Sequence, residues 1–484
     1  MDDVDAKSSS LWSFIGSEDL LYLSDRGTSG PPKDRKYIQE AMFLSKAFAQ
    51  SMHPTKIIPF YYKASAAIDE HDVTITTLVT SNRYKVLRQL VERYQGPVSV
   101  TIYVQLPSHE FESPSATATR HFITALKELE ALYMSSPLFA TYVDVHLALS
   151  PLSGSGTGSG SILPRDSQTS TGMTPSTPEG ARQFNVWRNI ARLFARTEFV
   201  MMLDVDFAVC TDWRSAIRSA MHNSQNKDIS VKAPRFGVRI DDPTRIHERN
   251  GSLNGSQHLT DTEVMQKLKD GKIALVVPAF EYVRQEDGTD QSTFPQSKES
   301  LVQLTSGAKP KITTFHASWA PGHNSTEYPK YFSIPPGAEQ VYKVTQYQSA
   351  YEPYVIMSKR VTWCDERFTG YGGNKAACLF ELYLSGVTFY VMSDHFLIHQ
   401  SHTYEEEARR EEVISRAADV RKYNRKLYAD FKEEACLRYL YRFKKTGVLG
   451  TLMAANALEE CKKIKNVVKI ASEFLGEGFD FGSH

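Results

Sequence analysis

The sequence predicts an α/β fold built around a mixed central sheet with a helical C-terminal region, and three observations carry that prediction. β-Branched runs alternate with amphipathic stretches from Val73 onward. One apolar run, Phe199-Val200-Met201-Met202-Leu203, stops abruptly at two carboxylates, Asp204 and Asp206. Hydrophobic residues make up 41% of a 484-residue chain, enough for one large α/β domain with insertions or two to three average ones.

The elements follow in order. Residues 1–35 are polar and rich in Ser, Gly and Pro, which predicts a loosely ordered lead-in. Residues 36–50 have the spacing of an amphipathic helix. Val73 to Val79 is a strand by its β-branching, and Tyr84 to Tyr94 a helix ended by Gly96-Pro97. Val98 to Val104 is a second strand, so the three form a βαβ unit with a parallel pair. A helix over His121 to Tyr133 and a strand over Tyr142 to Leu149 repeat it. Residues 150–181 are a Ser/Gly/Thr/Pro tract; α/β signals resume after it, so it is a flexible insertion rather than a boundary. Gln183 to Arg196 is a helix leading into the apolar run, and Asp212 to Asn223 is another. Residues 239–262 are a polar surface insertion. Lys272 to Ala279, Tyr351 to Met357 and Val387 to Met392 are strands. Glu405 to Lys445 is charged and helical, and 446–484 is a helical tail.

The 56 basic and 56 acidic residues cancel, which argues against a nucleic-acid partner held by bulk charge. The five cysteines (Cys210, Cys364, Cys378, Cys436, Cys461) show no CxxC spacing. An odd, sparse set leaves at least one thiol unpaired in a monomer and does not define a disulfide scaffold. No run of about 18 apolar residues exists, and the opening residues are not a signal peptide. That alone reads as soluble and cytosolic. Three sequons, at Asn250, Asn254 and Asn324, point instead to the secretory pathway.

Four groups carry candidate chemistry. Asp204 and Asp206 end a strand buried on both faces, where a divalent cation offsets the cost of burying two carboxylates; a solvated turn after the strand is the plainer alternative for the tripeptide alone. In an open α/β sheet that position is the ligand crevice. Asn185 and Asn189, i and i+4 on the preceding helix, share a face with Arg188 beside them, which suits a nucleotide base or ribose as well as plain surface. The run from Trp363 to Lys375 holds Asp365, Glu366, Arg367 and three glycines around Tyr371, so backbone can approach a ligand closely; a glycine turn with a salt bridge among Asp365, Glu366 and Arg367 is the plainer alternative. His399 and His402 follow a strand, where an imidazole can complete an Asp site.

The ordered set NVWRNIAR, FVMMLDVDF, LVVPAFE, YEPYVIM, DERFTGYGGNK and FLIHQSH resembles glycosyltransferase family 49, from about Asp72 to about Tyr441. This is the family of the β-1,4-glucuronyltransferase and the C-terminal domain of the LARGE-type enzymes. The resemblance implies a GT-A fold over residues 36–445, with a Rossmann-like nucleotide half and an acceptor half. It implies a UDP-sugar donor, glucuronic acid by precedent, and a glycan or glycoprotein acceptor joined by an inverting, β-forming transfer. It implies Mn²⁺ held by Asp204, Asp206 and His399, with His402 the alternative imidazole. Carboxylates that follow the glycines in other inverting GT-A enzymes are replaced here by Asn374 and Lys375. The candidate bases are therefore Asp365 or Glu366, with Glu281 behind them. Lys375 and Arg188 are assigned to the donor diphosphate or a uronic carboxylate, and Tyr371, Gly372, Gly373 and Asn374 to the acceptor. The implied location is the Golgi lumen, with membrane association only through an anchor absent from this sequence. A catalytically silent domain that binds glycan or a protein partner is the main rival. A phosphotransferase is the weaker one, because no phosphate-binding P-loop is present.

Overall fold

The structure is a computed structural model that describes residues 56–106, 116–151, 182–225, 237–239, 258–259, 261–402, 417–476 and 481. The polar lead-in, the helix expected over 36–50, and nearly all of the 150–181 and 239–262 insertions lie outside the described residues.

The expected βαβ repeat is present. β1 (Lys56–Tyr62) precedes β2 (Val73–Val79), α1 (Tyr84–Tyr94), β3 (Val98–Leu106), α2 (Ala116–Met134), α3 (Pro137–Tyr142) and β4 (Val143–Pro151). Helix α1 buries Leu87, Leu90, Val91 and Tyr94, one stripe at helical spacing. It ends because Gln95 turns left-handed, with φ of 47°, and Pro97 then leads into β3. Strands β2, β3 and β4 pair in parallel.

After α4 (Phe184–Phe194), β5 (Phe199–Met202) joins the other edge of β2, also in parallel. Strand order therefore reverses between β2 and β5, which opens a crevice at their carboxyl ends. Phe199, Met201 and Leu203 enter the core on one face, Val200 and Met202 the core on the other. The apolar run is thus a doubly buried strand, as its sequence requires.

Then come β6 (Phe207–Val209), α5 (Trp213–Gln225), β7 (Gly237–Arg239), β8 (His258–Leu259), α6 (Asp261–Lys269), β9 (Ile273–Val277), β10 (Ala279–Tyr282), α7 (Lys298–Thr305), β11 (Ile312–Thr314), α8 (Tyr328–Ser333) and β12 (Gln340–Lys343). β13 (Tyr354–Ser358), α9 (Asn374–Leu384), β14 (Thr388–Met392), β15 (Leu397–His399), α10 (Ala417–Lys445), α11 (Leu452–Cys461) and α12 (Lys465–Leu475) complete the chain. Among the described residues the large sheet runs β1-β4-β3-β2-β5-β13-β9-β14-β12-β7-β8, and a small sheet runs β11-β10-β15-β6. β13 is antiparallel to both neighbours, so its first residues lie at the carboxyl end of β5.

One expected strand is two. Lys272 to Ala279 is broken at Pro278, which has no N–H to continue the ladder. β9 stays in the large sheet, while β10 turns into the small one, where it pairs with β11 and β15. The C-terminal helices pack onto the sheet. Phe431, Cys436, Leu440, Ala457, Cys461 and Val467 share one core with β13, β14 and α9. Cys436–Cys461 and Cys364–Cys378 are disulfides, and Cys210 is free and buried. One thiol is unpaired as expected, but the other four do form cross-links.

Candidate functional site

The two carboxylates after β5 have separate partners. Asp204 Oδ2 accepts from Lys375 Nζ at 3.2 Å and from the Tyr354 hydroxyl at 3.0 Å, and Oδ1 lies 3.5 Å from Arg188. Burial raises its pKa, but Lys375 and Arg188 outweigh that, and the carboxyl sits below its ordinary range. Lys375 stands on the first turn of α9 with Nζ 3.4 Å from the Tyr354 ring centroid, so the cation is enclosed between an aromatic face and a carboxylate. Burial lowers the Lys375 pKa, while Asp204 and Glu352 push it back up.

Asp206 faces the small sheet. Its Oδ2 is 2.8 Å from His402 Nε2, 3.8 Å from His399 Nε2 and 3.5 Å from Arg83, which follows β2. Burial raises its pKa, yet the two imidazoles, His399 and His402, and the Arg83 charge hold it well below the carboxylate range. The local fold explains the convergence. β6 and β15 pair antiparallel with Phe207 opposite His399, and the backbone N–H of Gln400 donates to the Asp206 carbonyl at 2.8 Å.

Asp206, His399 and His402 offer ligand atoms that all lie within 4.8 Å of one another. The second nitrogen of His402, Nδ1, is buried without a hydrogen-bond partner. One carboxylate and two imidazoles suit a first-row divalent ion, so these residues fit the metal that the sequence implied. The membership differs from the expected set. His402, the alternative imidazole, is the nearer one, and Asp204 is drawn aside by Lys375, Tyr354 and Arg188.

The helix preceding β5 has another job than the one expected. The Asn185 side chain is buried and donates to the carbonyls of Asp365 at 2.7 Å and Asn374 at 3.0 Å. Asn189 donates to the Cys364 carbonyl at 2.9 Å and to Glu366 at 2.8 Å, and accepts from the Cys364 N–H at 3.1 Å. Both amides therefore hold the 364–374 loop rather than face a nucleotide or solvent. Arg188 bridges the two regions, donating to Asn374 Oδ1 at 2.8 Å while its other nitrogen approaches Asp204.

In that loop Asp365 is buried and clasped by Arg367, with the closest approach 2.7 Å, and Arg367 also pairs with Glu434 at 2.8 Å. The Asp365–Arg367 part of the salt-bridge alternative is present, while Glu366 bonds Asn189. A carboxylate with both oxygens on a guanidinium cannot receive a proton from a substrate without breaking that pair, so Asp365 is a poor base. Asn374, expected on the acceptor, is buried between Arg188 and the Gly370 carbonyl. Gly373 caps α9 with φ of 70°, and a Cβ there would meet Phe368 and Tyr428 at 3.5 Å. Its conformation, rather than a ligand's approach, requires glycine. Tyr371 is exposed beside Phe184, at 5.0 Å between ring centroids.

Two candidate bases remain partly exposed. Glu366 accepts from Asn189. Glu281 lies in register with His399 across β10–β15 and accepts the His316 N–H at 2.9 Å. Sequence reasoning missed Arg83, Tyr354, Glu352 and Trp319. The first three stand at strand ends on the same rim as Asp204 and Asp206. Glu352 was already part of the YEPYVIM run.

Residues 72–440 match the family described as "Glycosyl-transferase for dystroglycan". The zebrafish (Danio rerio) Xylosyl- and glucuronyltransferase LARGE1 is 23% identical over 354 residues, which is 73% of this chain and 34% of that one. The human (Homo sapiens) LARGE1 is 21% identical with the same coverage. Mouse (Mus musculus) Beta-1,4-glucuronyltransferase 1 is 24% identical over 375 residues, 77% of each chain. The chain thus spans about a third of the length of the LARGE relatives it matches. Among solved structures, one titled "Crystal structure of GalNAc-T7 with UDP, GalNAc and Mn2+" aligns over 77% of this chain and 53% of its own, at 10% identity and a TM-score of 0.30. Staphylococcus aureus TarS aligns over 83% and 82%, at 11% identity and a TM-score of 0.23.

Proposed function

Because this chain belongs to the family of glycosyl-transferases described for dystroglycan, glycosyltransferase family 49, we propose that it is a UDP-sugar-dependent, inverting transferase of GT-A type. It moves a sugar, glucuronic acid first among the candidates, to a glycan acceptor in a β-linkage. The observation that carries this reading is the pairing of two charge environments at the β2/β5 crevice: Asp206 with His399 and His402, and Asp204 with Lys375 and Arg188.

Inversion is one in-line displacement. The acceptor hydroxyl attacks the anomeric carbon as the bond to the UDP oxygen breaks. A Mn²⁺ ion held by Asp206, His399 and His402, with Asp204 on the nucleotide side, would supply Lewis-acid neutralisation of the leaving diphosphate. The residues do the rest. Lys375 and Arg188 are fixed cations beside Asp204, suited to the diphosphate or to a uronic carboxylate. The Asn185 and Asn189 amides hold the loop that sets Lys375 in place. Glu366 and Glu281 remain in the candidate-base set.

The Golgi lumen is the compartment this reading implies, and the two disulfides support an oxidising one. The test is a screen of UDP-sugars with Mn²⁺, read by thermal shift and by UDP release. Release with UDP-glucuronic acid and an acceptor glycan supports the proposal. Binding without release would favour the silent domain. No shift with any nucleotide sugar would end the transferase reading.

A further inference from the structure

Between β11 and α8 a turn that begins at Phe315, whose ring packs on His399, carries an exposed indole. Trp319 is 47% exposed, unusual for so large an apolar side chain. Its placement is nevertheless fixed. Its backbone N–H donates to the His316 carbonyl at 2.8 Å, and the Gly322 N–H donates to the Trp319 carbonyl at 3.1 Å. A Cβ on Gly322 would fall 2.8 Å from Trp319 Cε3, so one part of the ring rests on bare backbone that any larger residue would displace.

The turn is fastened at both ends to the site. At one end Phe315 stacks on His316 at 4.2 Å between centroids, and its ring lies 5.1 Å from that of His399. His316 has φ of 51°, a conformation that a non-glycine residue holds only with support, and its N–H is bonded to Glu281. At the other end the Gly322 carbonyl accepts the N–H of Glu352 at 2.8 Å. Trp319, Gly322 and the Glu352 backbone therefore form one connected unit at the start of β13.

We propose that this unit is the acceptor subsite: the terminal pyranose of a glycan lies against Trp319, and Glu352 takes the proton from its attacking hydroxyl. The proposal rests on the transferase reading and names the acceptor half of the same site. An indole face is electron-rich, and the C–H-bearing face of a pyranose presents the complementary apolar, slightly positive surface. Such a platform orients the sugar without depending on one particular hydroxyl. Glu352 lies two residues before Tyr354, whose hydroxyl donates to Asp204 at 3.0 Å, which sets it at the rim of the same crevice. Burial raises its pKa; Lys375, Arg188 and the Ala376 N–H oppose that and Asp204 adds to it, leaving it above the ordinary carboxyl range, which strengthens a base. Tyr354 and Tyr428 are also titratable groups whose charges couple to it. The step balances. The hydroxyl oxygen bonds to the anomeric carbon, the electron pair of the broken bond leaves on UDP, and the proton goes to Glu352 and then to water.

The experiment uses the full chain with UDP-glucuronic acid, Mn²⁺ and a panel of aryl β-pyranosides, with thermal shift by UDP and Mn²⁺ as a separate measure of the donor half. Trp319→Ala should raise acceptor KM by about ten-fold or more and leave kcat and the donor shift unchanged, while Trp319→Phe, which keeps an aromatic face, stays near wild type. Glu352→Gln should lower kcat by about 10²–10⁴-fold, keep both KM values, and remove the acid limb of the kcat profile. Glu352→Asp should recover part of the rate. Unchanged acceptor KM in Trp319→Ala, or kcat retained in Glu352→Gln, overturns the proposal while wild-type transfer leaves the function standing. A wild-type chain that binds no UDP-sugar overturns both.

Discussion

Replacing Lys375 by methionine keeps the stem and removes the charge, which isolates the electrostatic part of the donor site. The ammonium is 3.2 Å from Asp204 Oδ2, and unit charges at that separation interact by about 5 kcal/mol at an effective dielectric of about 20. Most of that does not appear as stability. The Asp204 side chain is 36% exposed, Arg188 remains at 3.5 Å and the Tyr354 hydroxyl at 3.0 Å, so the folding cost is about 1–2 kcal/mol. The donor loses more in proportion. A charge-assisted contact to a phosphate or carboxylate is worth about 1.5–3 kcal/mol, or about ten- to 150-fold in UDP affinity. Asp204 also changes. Its carboxyl is depressed in the wild type, so its contribution to stability is present above the unfolded value of 3.8 and lost as pH falls through the lower folded one. Without Lys375 the folded pKa rises toward 3.8 and that contribution shrinks. Calorimetric titration with UDP and Mn²⁺, beside urea melts from pH 3 to 7, reads both effects. UDP affinity within about two-fold of wild type would show that Lys375 does not meet the donor.

Asp365→Ala removes the carboxylate that clasps the buried Arg367 guanidinium and should cost about 3–5 kcal/mol in urea melts, with turnover per folded molecule unchanged. A selective loss of kcat in a stable protein would return Asp365 to the catalytic set. Asn185→Ala leaves two buried carbonyls without their donor and should cost about 1–3 kcal/mol, loosening the loop that carries Lys375. A variant as stable as wild type, but blind to UDP, would restore Asn185 to the nucleotide. Serine at both Cys364 and Cys378 should lower stability by about 2–4 kcal/mol in nonreducing melts. An unchanged melt would mean that the cross-link constrains nothing.

Much of the sheet could be seen in the chain because doubly buried strands leave apolar runs and βαβ spacing. Pro278 was visible too, but a proline break reads as a strand end only once both sheets are known. The rim of the site was legible where residue type forces a cost, as at Asp204 and Asp206. It was not legible where function depends on which way a side chain turns. His399 and His402 lie three residues apart across the exit from β15, and no spacing says which imidazole approaches Asp206 more closely. Asn185 and Asn189 make a polar helical stripe whether they face water, a ribose or loop carbonyls. Here they face the carbonyls, because the 364–374 loop has few regular partners of its own. Cysteine spacing cannot select Cys364–Cys378 or Cys436–Cys461, since loop closure depends on the fold. Glu352 was inside the YEPYVIM run without a role that its residue type alone assigns, and Trp319 has no sequence neighbour that marks it. Only the Gly322 hydrogen bond joins them.

Manganese binding followed by electron paramagnetic resonance, with UDP present, bears most directly on the chemistry. The wild-type chain should quench the free-ion signal at one equivalent. Asp206→Asn and His402→Ala should each restore it, while circular dichroism stays native. Equal manganese affinity in wild type and both variants would contradict a metal centre at Asp206, His399 and His402.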